Sequence, residues 1–135
     1  MNFIFVSVCI LKKKDKILFT KRPIKKYFGG YWEFPGGKLK ELENFQDAAV
    51  REMKEELGIL VNKNDLKSID MINHSYDNKN FMIMNIYLLK KWQRRARGIE
   101  NQELEWINLN EEFPKKFLKG GLLILKRLKK GYYNL

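Results

Sequence analysis

Apolar residues fill the stretch from Phe3 to Leu11, broken only by Ser7, and Lys12-Lys13-Lys14-Asp15 ends it. This pattern predicts a buried strand followed by a turn. A second strand is expected over 16–22, then a loop carrying Pro23, Gly29 and Gly30. Trp32-Glu33-Phe34 reads as a short strand running into Pro35-Gly36-Gly37, which breaks regular structure. From Phe45 to Leu57 the period changes from strand-like to helical, with Ala49, Val50, Met53 and Leu57 on one stripe. Strands are expected near 67–76 and 81–91, joined by a hairpin turn at Asp77-Asn78-Lys79-Asn80. Another short strand spans Leu104 to Leu109. A terminal helix is expected over Phe117 to Lys130, interrupted early by Gly120-Gly121, with Leu122, Leu125 and Leu128 turned inward. Strands and helices mixed in this order predict an α/β (α+β) chain, a mixed sheet between helical layers. No internal repeat or linker divides it, so residues 1–135 read as one domain, long enough for a real core.

The helix carries the chemistry. Asn44 suits its N-cap, with Asp47 three residues on, and Gly58 suits the position just after it. Glu52, Glu55 and Glu56 stand at i, i+3 and i+4, so their carboxylates share a neighbouring face, with the small Ala48 among them. Like charges so placed cost an isolated helix roughly 0.2–0.5 kcal/mol per pair. A hard divalent cation relieves that repulsion. Mg²⁺ takes oxygen ligands, keeps several waters and pairs carboxylates with substrate phosphates. A merely solvated acidic face would leave Gly37, Glu43 and Arg51 without a reason.

Charge is unevenly spread. The chain carries +11, yet residues 33–56 hold seven acidic and four basic residues, net −3, which leaves +14 elsewhere. Basic residues bunch at Lys90, Lys91, Arg94, Arg95 and Arg97 and again from Lys115 to Lys130. An acidic centre in a basic body suits a polyanionic substrate such as a nucleotide phosphate. Nucleic acid is the competing partner, less favoured because few aromatics interleave with Arg94, Arg95 and Arg97. The one cysteine, Cys9, excludes an intrachain disulfide, fits a reducing compartment and is read as inert core. The run 3–11 lacks a basic stretch before it and a cleavage site after it, and is too short to span a membrane, so a cytoplasmic monomer is expected. The single histidine, His74, is read as a strand surface residue rather than a general base.

Gly37, Glu43, Arg51, Glu52, Met53, Glu55, Glu56, Gly58 and Ile59 fill every specified position of G-x5-E-x7-R-E-U-x-E-E-x-G-U, where U is a bulky aliphatic residue. A chance match is on the order of 10⁻⁷. The segment is identified as a Nudix box. The chain resembles the Nudix hydrolases, most closely the MutT-type (8-oxo-dGTP diphosphatase) nucleoside triphosphate pyrophosphohydrolases. Thr20-Lys21-Arg22, Trp32-Glu33-Phe34-Pro35-Gly36-Gly37-Lys38, Gly98-Ile99-Glu100 with Gln102 and Glu105-Trp106, and the helix after Phe113-Pro114 extend the resemblance over nearly the whole length.

The resemblance implies an α/β/α sandwich and a nucleoside triphosphate cleaved to the monophosphate and pyrophosphate with Mg²⁺ or Mn²⁺. It implies metal ligands at the Gly37 carbonyl, Glu52, Glu55, Glu56 and Glu100. Glu52 is the first candidate general base and Glu100 the second. Arg22, Phe34, Lys38, Asp77 and Lys119 are the substrate-binding candidates, with Tyr76 a weaker stacking residue. Glu43, Arg51 and Gly58 hold the motif together, Arg51 and Glu43 as a bidentate pair. Glu33 and Glu41 read as ordinary polar positions. One departure stands out: no Asn or Asp follows Phe113-Pro114, where such enzymes read the base edge. Phe117 or Lys119 takes that place, and Lys119 can only donate. Other Nudix substrates therefore stay open: a pyrimidine triphosphate, a dinucleoside polyphosphate or an RNA 5′ end. So do a non-catalytic nucleic-acid-binding module and a nucleotide sensor.

Overall fold

A computed structural model describes residues 1–75, 77–113 and 116–135. Strand β1 (Asn2–Lys13) runs the length of the sheet and pairs in parallel with β6 (Asn80–Leu89), from Asn2 opposite Asn80 to Leu11 opposite Leu89. Strand β5 (Leu66–Ser75) lies antiparallel on the far side of β6. The other edge of β1 is shared. Its middle residues, Val6, Ser7 and Val8, pair with β4 (Gly36–Lys38), and its last residues pair with β2 (Lys16–Lys21). Strand β2 in turn carries β3 (Trp32–Glu33) and β7 (Glu103–Asn108), both antiparallel. The sheet is therefore mixed, as the order of elements predicts.

Alternation along β1 supplies both faces with core. Cys9 and Leu11 pack with Ala49, Met53 and Leu57 of helix α1 (Phe45–Leu57). Val8 and Ile10 pack with Ile124, Leu125 and Leu128 of helix α2 (Leu122–Lys129). Successive side chains leave a strand on opposite sides, so one apolar run serves two layers. Cys9 is fully buried, and burial pushes its thiol far above the ordinary range, in keeping with an inert core residue. Among the described residues no helix is long and apolar enough to cross a membrane.

Several expectations change. The Pro35-Gly36-Gly37 segment is not simply a break: Gly36 and Gly37 begin β4. Gly36 has φ +152°, and a Cβ there would meet the Ser7 carbonyl oxygen at 2.2 Å, so glycine allows this strand to close on β1. The terminal helix is shorter than 117–130. It begins at Leu122 after a 3₁₀ turn, Lys119–Gly121, because Phe117 is bridged to Trp32 and the two glycines are poor helix formers. Leu122 is accordingly exposed, and Ile124 takes the inward place beside Leu125 and Leu128. Strand β6 ends at Leu89, so Lys90 and Lys91 leave the sheet. His74 lies half-buried on β5 rather than on its surface. Tyr76, Pro114 and Lys115 lie outside the described residues.

The segment after α2 is tied to the sheet at one point. Arg127 and the Tyr133 hydroxyl both donate to the same oxygen of Asp70 on β5, at 2.6 and 2.7 Å. Burial raises the Asp70 pKa, but these donors and the Met71 N–H outweigh it and hold the carboxyl below its ordinary value. Asp70→Asn should cost about 1.5–3 kcal/mol at neutral pH, as expected for hydrogen bonds to a charged group. Urea unfolding of the two proteins measures this, and equal midpoints would remove Asp70 as the anchor.

Candidate active site

Helix α1 begins and ends where its sequence says it should. Asn44 accepts the Asp47 N–H at 2.8 Å, and Gly58 adopts φ +69° at the other end. The side chain of Asp47 pairs with Lys63 rather than returning to the cap. Between these caps, Glu52 and Glu56 point toward the β4 backbone. Glu56 accepts the Gly36 N–H at 3.1 Å. A Cβ on Gly37 would lie 2.3 Å from the Glu52 carboxyl carbon, so the absence of a side chain at 37 is what admits that carboxylate.

Arg51 organises the opposite side of this cluster. Its guanidinium donates twice to Glu43, from Nε and Nη2, both at 2.8 Å. It also donates to Glu52 at 2.8 Å, to Glu55 at 3.1 Å and to the Lys38 carbonyl at 2.9 Å. The expected Arg51–Glu43 pair is therefore present and bidentate, and it ties the 38–43 loop to the helix. Glu43 also accepts the Lys40 N–H.

These elements shape a cleft of about 290 Å³. Four carboxylates line it, Glu33, Glu52, Glu56 and Glu100, together with the cations Arg22 and Lys26. A groove of about 520 Å³ adjoins it and shares Arg22, Pro23, Lys26 and Glu100. Burial pushes the Glu56 pKa up to about 8; the Gly36 N–H opposes this, while the charges of Glu33, Glu52 and Glu100 add to it. Burial also raises Glu52, partly offset by Arg51 and reinforced by Glu55 and Glu100. The loop bearing Glu100 is fastened to the end of α1. Gln102 donates to the Glu56 carbonyl and accepts the Glu100 N–H, both at 2.8 Å.

Several candidates lie elsewhere. Phe34 is buried between Phe19 and Phe117, with ring centroids 5.2 and 5.3 Å away, so it is core and not an open stacking face. Phe117 is equally buried. Glu55 does not line the cleft, because Arg51 holds its carboxylate to one side. Asp77 closes its own turn by accepting the Lys79 and Asn80 N–H groups. Lys38 and Lys119 are exposed and are not cleft-lining residues. Glu33, read from the sequence as an ordinary polar position, is a cleft residue that binds Arg22 at 2.7 and 3.3 Å. Its signal was present: in Trp32-Glu33-Phe34 the apolar neighbours face the core, so Glu33 must face away. Lys26 and Thr20 had no such signal.

A resident cation fits this donor set only in part. Among the described residues no three carboxylate, imidazole or thiol groups converge closely enough to enclose one. The charge of Glu100 nevertheless adds to the raised pKa of both Glu52 and Glu56, and all three line a cleft with cations suited to phosphate. That chemistry fits a hard ion whose remaining ligands are water and phosphate oxygens.

Arg51→Ala should lower stability by about 1.5–3 kcal/mol through loss of charged hydrogen bonds. Glu43 supplies a pH test. Its hydrogen bond with Arg51 does most to lower its pKa from 4.5 to about 2, against a small opposing effect of burial. A depressed carboxyl stabilises the fold above its unfolded value and loses that contribution as pH falls through the folded one. The stability gap between wild type and Glu43→Gln should therefore be complete at pH 7 and shrink below pH 4.5. Urea midpoints at pH 7, 4 and 3 check this, and a constant gap would refute the pairing as its cause.

The NUDIX domain family matches residues 1–128. The chain is 32% identical over 111 residues to the 8-oxo-dGTP diphosphatase of Buchnera aphidicola subsp. Schizaphis graminum, covering 82% of each chain. It is 44% identical over 59 residues to the CTP pyrophosphohydrolase of Escherichia coli, covering 44% of each. Its fold superimposes on a MutT NUDIX hydrolase from Burkholderia pseudomallei with TM-score 0.80 and 25% identity, covering 93% of this chain and 98% of that one. The box, the glycine-framed carboxylate cluster and these matches agree: the chain belongs to the Nudix hydrolase family.

Proposed function

We propose that this chain cleaves a nucleoside triphosphate to the monophosphate and pyrophosphate, with 8-oxo-dGTP the first substrate to test. The observation that carries the reading is one cleft in which Glu52, Glu56 and Glu100 meet Arg22 and Lys26. Carboxylates alone would repel a triphosphate, and cations alone would bind it without activating water. The diphosphatase relative suggests the oxidised purine, and the pyrophosphohydrolase relative keeps a pyrimidine triphosphate open. The missing Asn or Asp after Phe113 supports keeping both. The enzyme is proposed to act as a cytoplasmic monomer, where nucleotide pools and magnesium are found.

In this mechanism Arg22 and Lys26 hold the phosphate chain. Arg22 is positioned for this by Glu33 and the Tyr27 carbonyl. A Mg²⁺ or Mn²⁺ ion held by Glu52, Glu56, Glu100 and the Gly37 carbonyl, with Glu55 in reserve, would neutralise phosphate oxygens and acidify the attacking water. Glu52 accepts a proton from the attacking water as its oxygen bonds to a bridging phosphorus, and the displaced phosphate oxygen leaves with the electron pair. Burial raises the Glu52 pKa above the ordinary carboxylate value, which strengthens it as a base. Glu100, on the facing loop, is the alternative.

Glu52→Gln should lower kcat by about 10²–10⁴ with little change in KM, the usual contribution of a general base. A loss of only a few-fold, with Glu100→Gln far more damaging, would transfer the role. Chelation by EDTA should abolish pyrophosphate release and added Mg²⁺ should restore it. A screen of common and oxidised triphosphates for pyrophosphate release identifies the base, and no release from any of them would overturn the assignment.

A further inference from the structure

Lysine outnumbers arginine in this chain by 21 to six, so each arginine asks for a reason. Arginine offers a planar fork matched to carboxylate and phosphate, whereas lysine supplies a point charge. Three of the six satisfy that chemistry inside the fold: Arg22 with Glu33, Arg51 with Glu43 and Arg127 with Asp70. The other three, Arg94, Arg95 and Arg97, lie within four consecutive positions. Among the described residues no carboxylate lies within ion-pair distance of them. Lys90 and Lys91 precede them, equally unpaired, and all five are exposed.

The loop that carries them is built, not loose. Gln93 exchanges both backbone hydrogen bonds with Leu60, at 2.9 and 3.0 Å, and the Arg97 N–H donates to the Leu57 carbonyl. Trp92 and Ala96 pack on the α1 side of the core, and Trp92 stacks on Trp106 at 6.0 Å with planes 11° apart. With those two side chains turned inward, the cations between and around them face solvent. The α1 C-terminus accounts for one of them: Arg97 Nη2 lies near Gly58, where a cation complements the helix dipole. It does not account for five.

We infer that residues Lys90 to Arg97 form a binding surface for a nucleic-acid backbone, separate from the catalytic cleft. Five cations along one anchored loop suit a chain of phosphates rather than a single one. Large exposed apolar side chains, which a bilayer surface would engage, are absent from 90–97. The Arg97 end leads through Gly98 and Ile99 to Glu100, so the surface adjoins the cleft along the chain.

The test uses a fluorescein-labelled 20-nucleotide thymidine strand, with EDTA to silence turnover, and anisotropy from 50 to 200 mM KCl. Wild type should bind with a steep salt dependence. The triple variant Arg94→Gln, Arg95→Gln, Arg97→Gln should bind at least tenfold more weakly at 50 mM. Its log–log salt slope should be shallower by about 2, the value for three released contacts on a single strand. Arg94→Lys, Arg95→Lys, Arg97→Lys should keep the slope, which separates lost charge from lost folding. Lys126→Gln, Lys129→Gln, Lys130→Gln should bind like wild type. Triphosphate turnover should stay within twofold in all three. No binding by wild type at 50 mM, equal loss in the helix triple, or arginine-dependent binding to phosphatidylserine vesicles but not to the strand would each overturn the inference.

Discussion

One guanidinium holds the acidic face of α1 together. Glu52, Glu55 and Glu56 sit on adjacent positions of that face, and their mutual repulsion works against the helix. Arg51 answers with hydrogen bonds to Glu52 and Glu55 and anchors itself on Glu43 and the Lys38 carbonyl. The anchoring matters as much as the charge. Because Nε and both terminal nitrogens are committed, the plane of the guanidinium is fixed, and so are the carboxylates it touches. Lysine at 51 would supply the charge without the plane. The β4–β1 ladder then brings the Gly36 N–H to Glu56 and leaves an empty side-chain position at Gly37 for Glu52. The site is therefore a joint product of helix spacing and a strand that only glycine allows.

Local periodicity made most of this readable. The helix limits, both caps and the buried first strand follow from spacing over a few residues, while the Arg51–Glu43 pair came from the motif resemblance. Features that depend on what meets across the fold were less legible. Strand β4 was hidden because Pro35-Gly36-Gly37 has the composition of a break, and only the partner strand explains why glycine is there. Leu122 is exposed because Phe117 is committed to Trp32, a pairing eighty-five positions apart that no local window contains. The resemblance offers Phe34 for stacking, yet Phe19 and Phe117 enclose it. Glu33 looked ordinary until β3 placed it against Arg22.

The same burial that shapes the cleft makes it electrostatically uneasy. Glu56, raised to about 8 from 4.5, favours its protonated form in the fold. A group raised in this way contributes stability below its unfolded pKa and loses it as pH rises through the folded value. As pH rises above the ordinary carboxylate range the cluster thus costs stability, and the charges of Glu52 and Glu100 add to that cost. A cation delivered with phosphate oxygens reverses that sign, because it favours the ionised form of the same carboxylates. Substrate binding and relief of this stress are then one event, which is why a donor set too open to enclose a cation unaided suits an ion that arrives with its substrate.

The excess charge on the rest of the chain acts over a limited range. At physiological ionic strength exposed charges are screened beyond about 8 Å. The lysines of α2 do not line the cleft. What remains local is the pairing of opposite signs within it: Arg22 and Lys26 beside Glu52, Glu56 and Glu100. A triphosphate is drawn by the first pair and repelled by the others until its charge is shared with a cation. Under the proposed function such a cleft would select the metal complex of the nucleotide over the free anion, and the carboxylates would act in recognition before they act in chemistry.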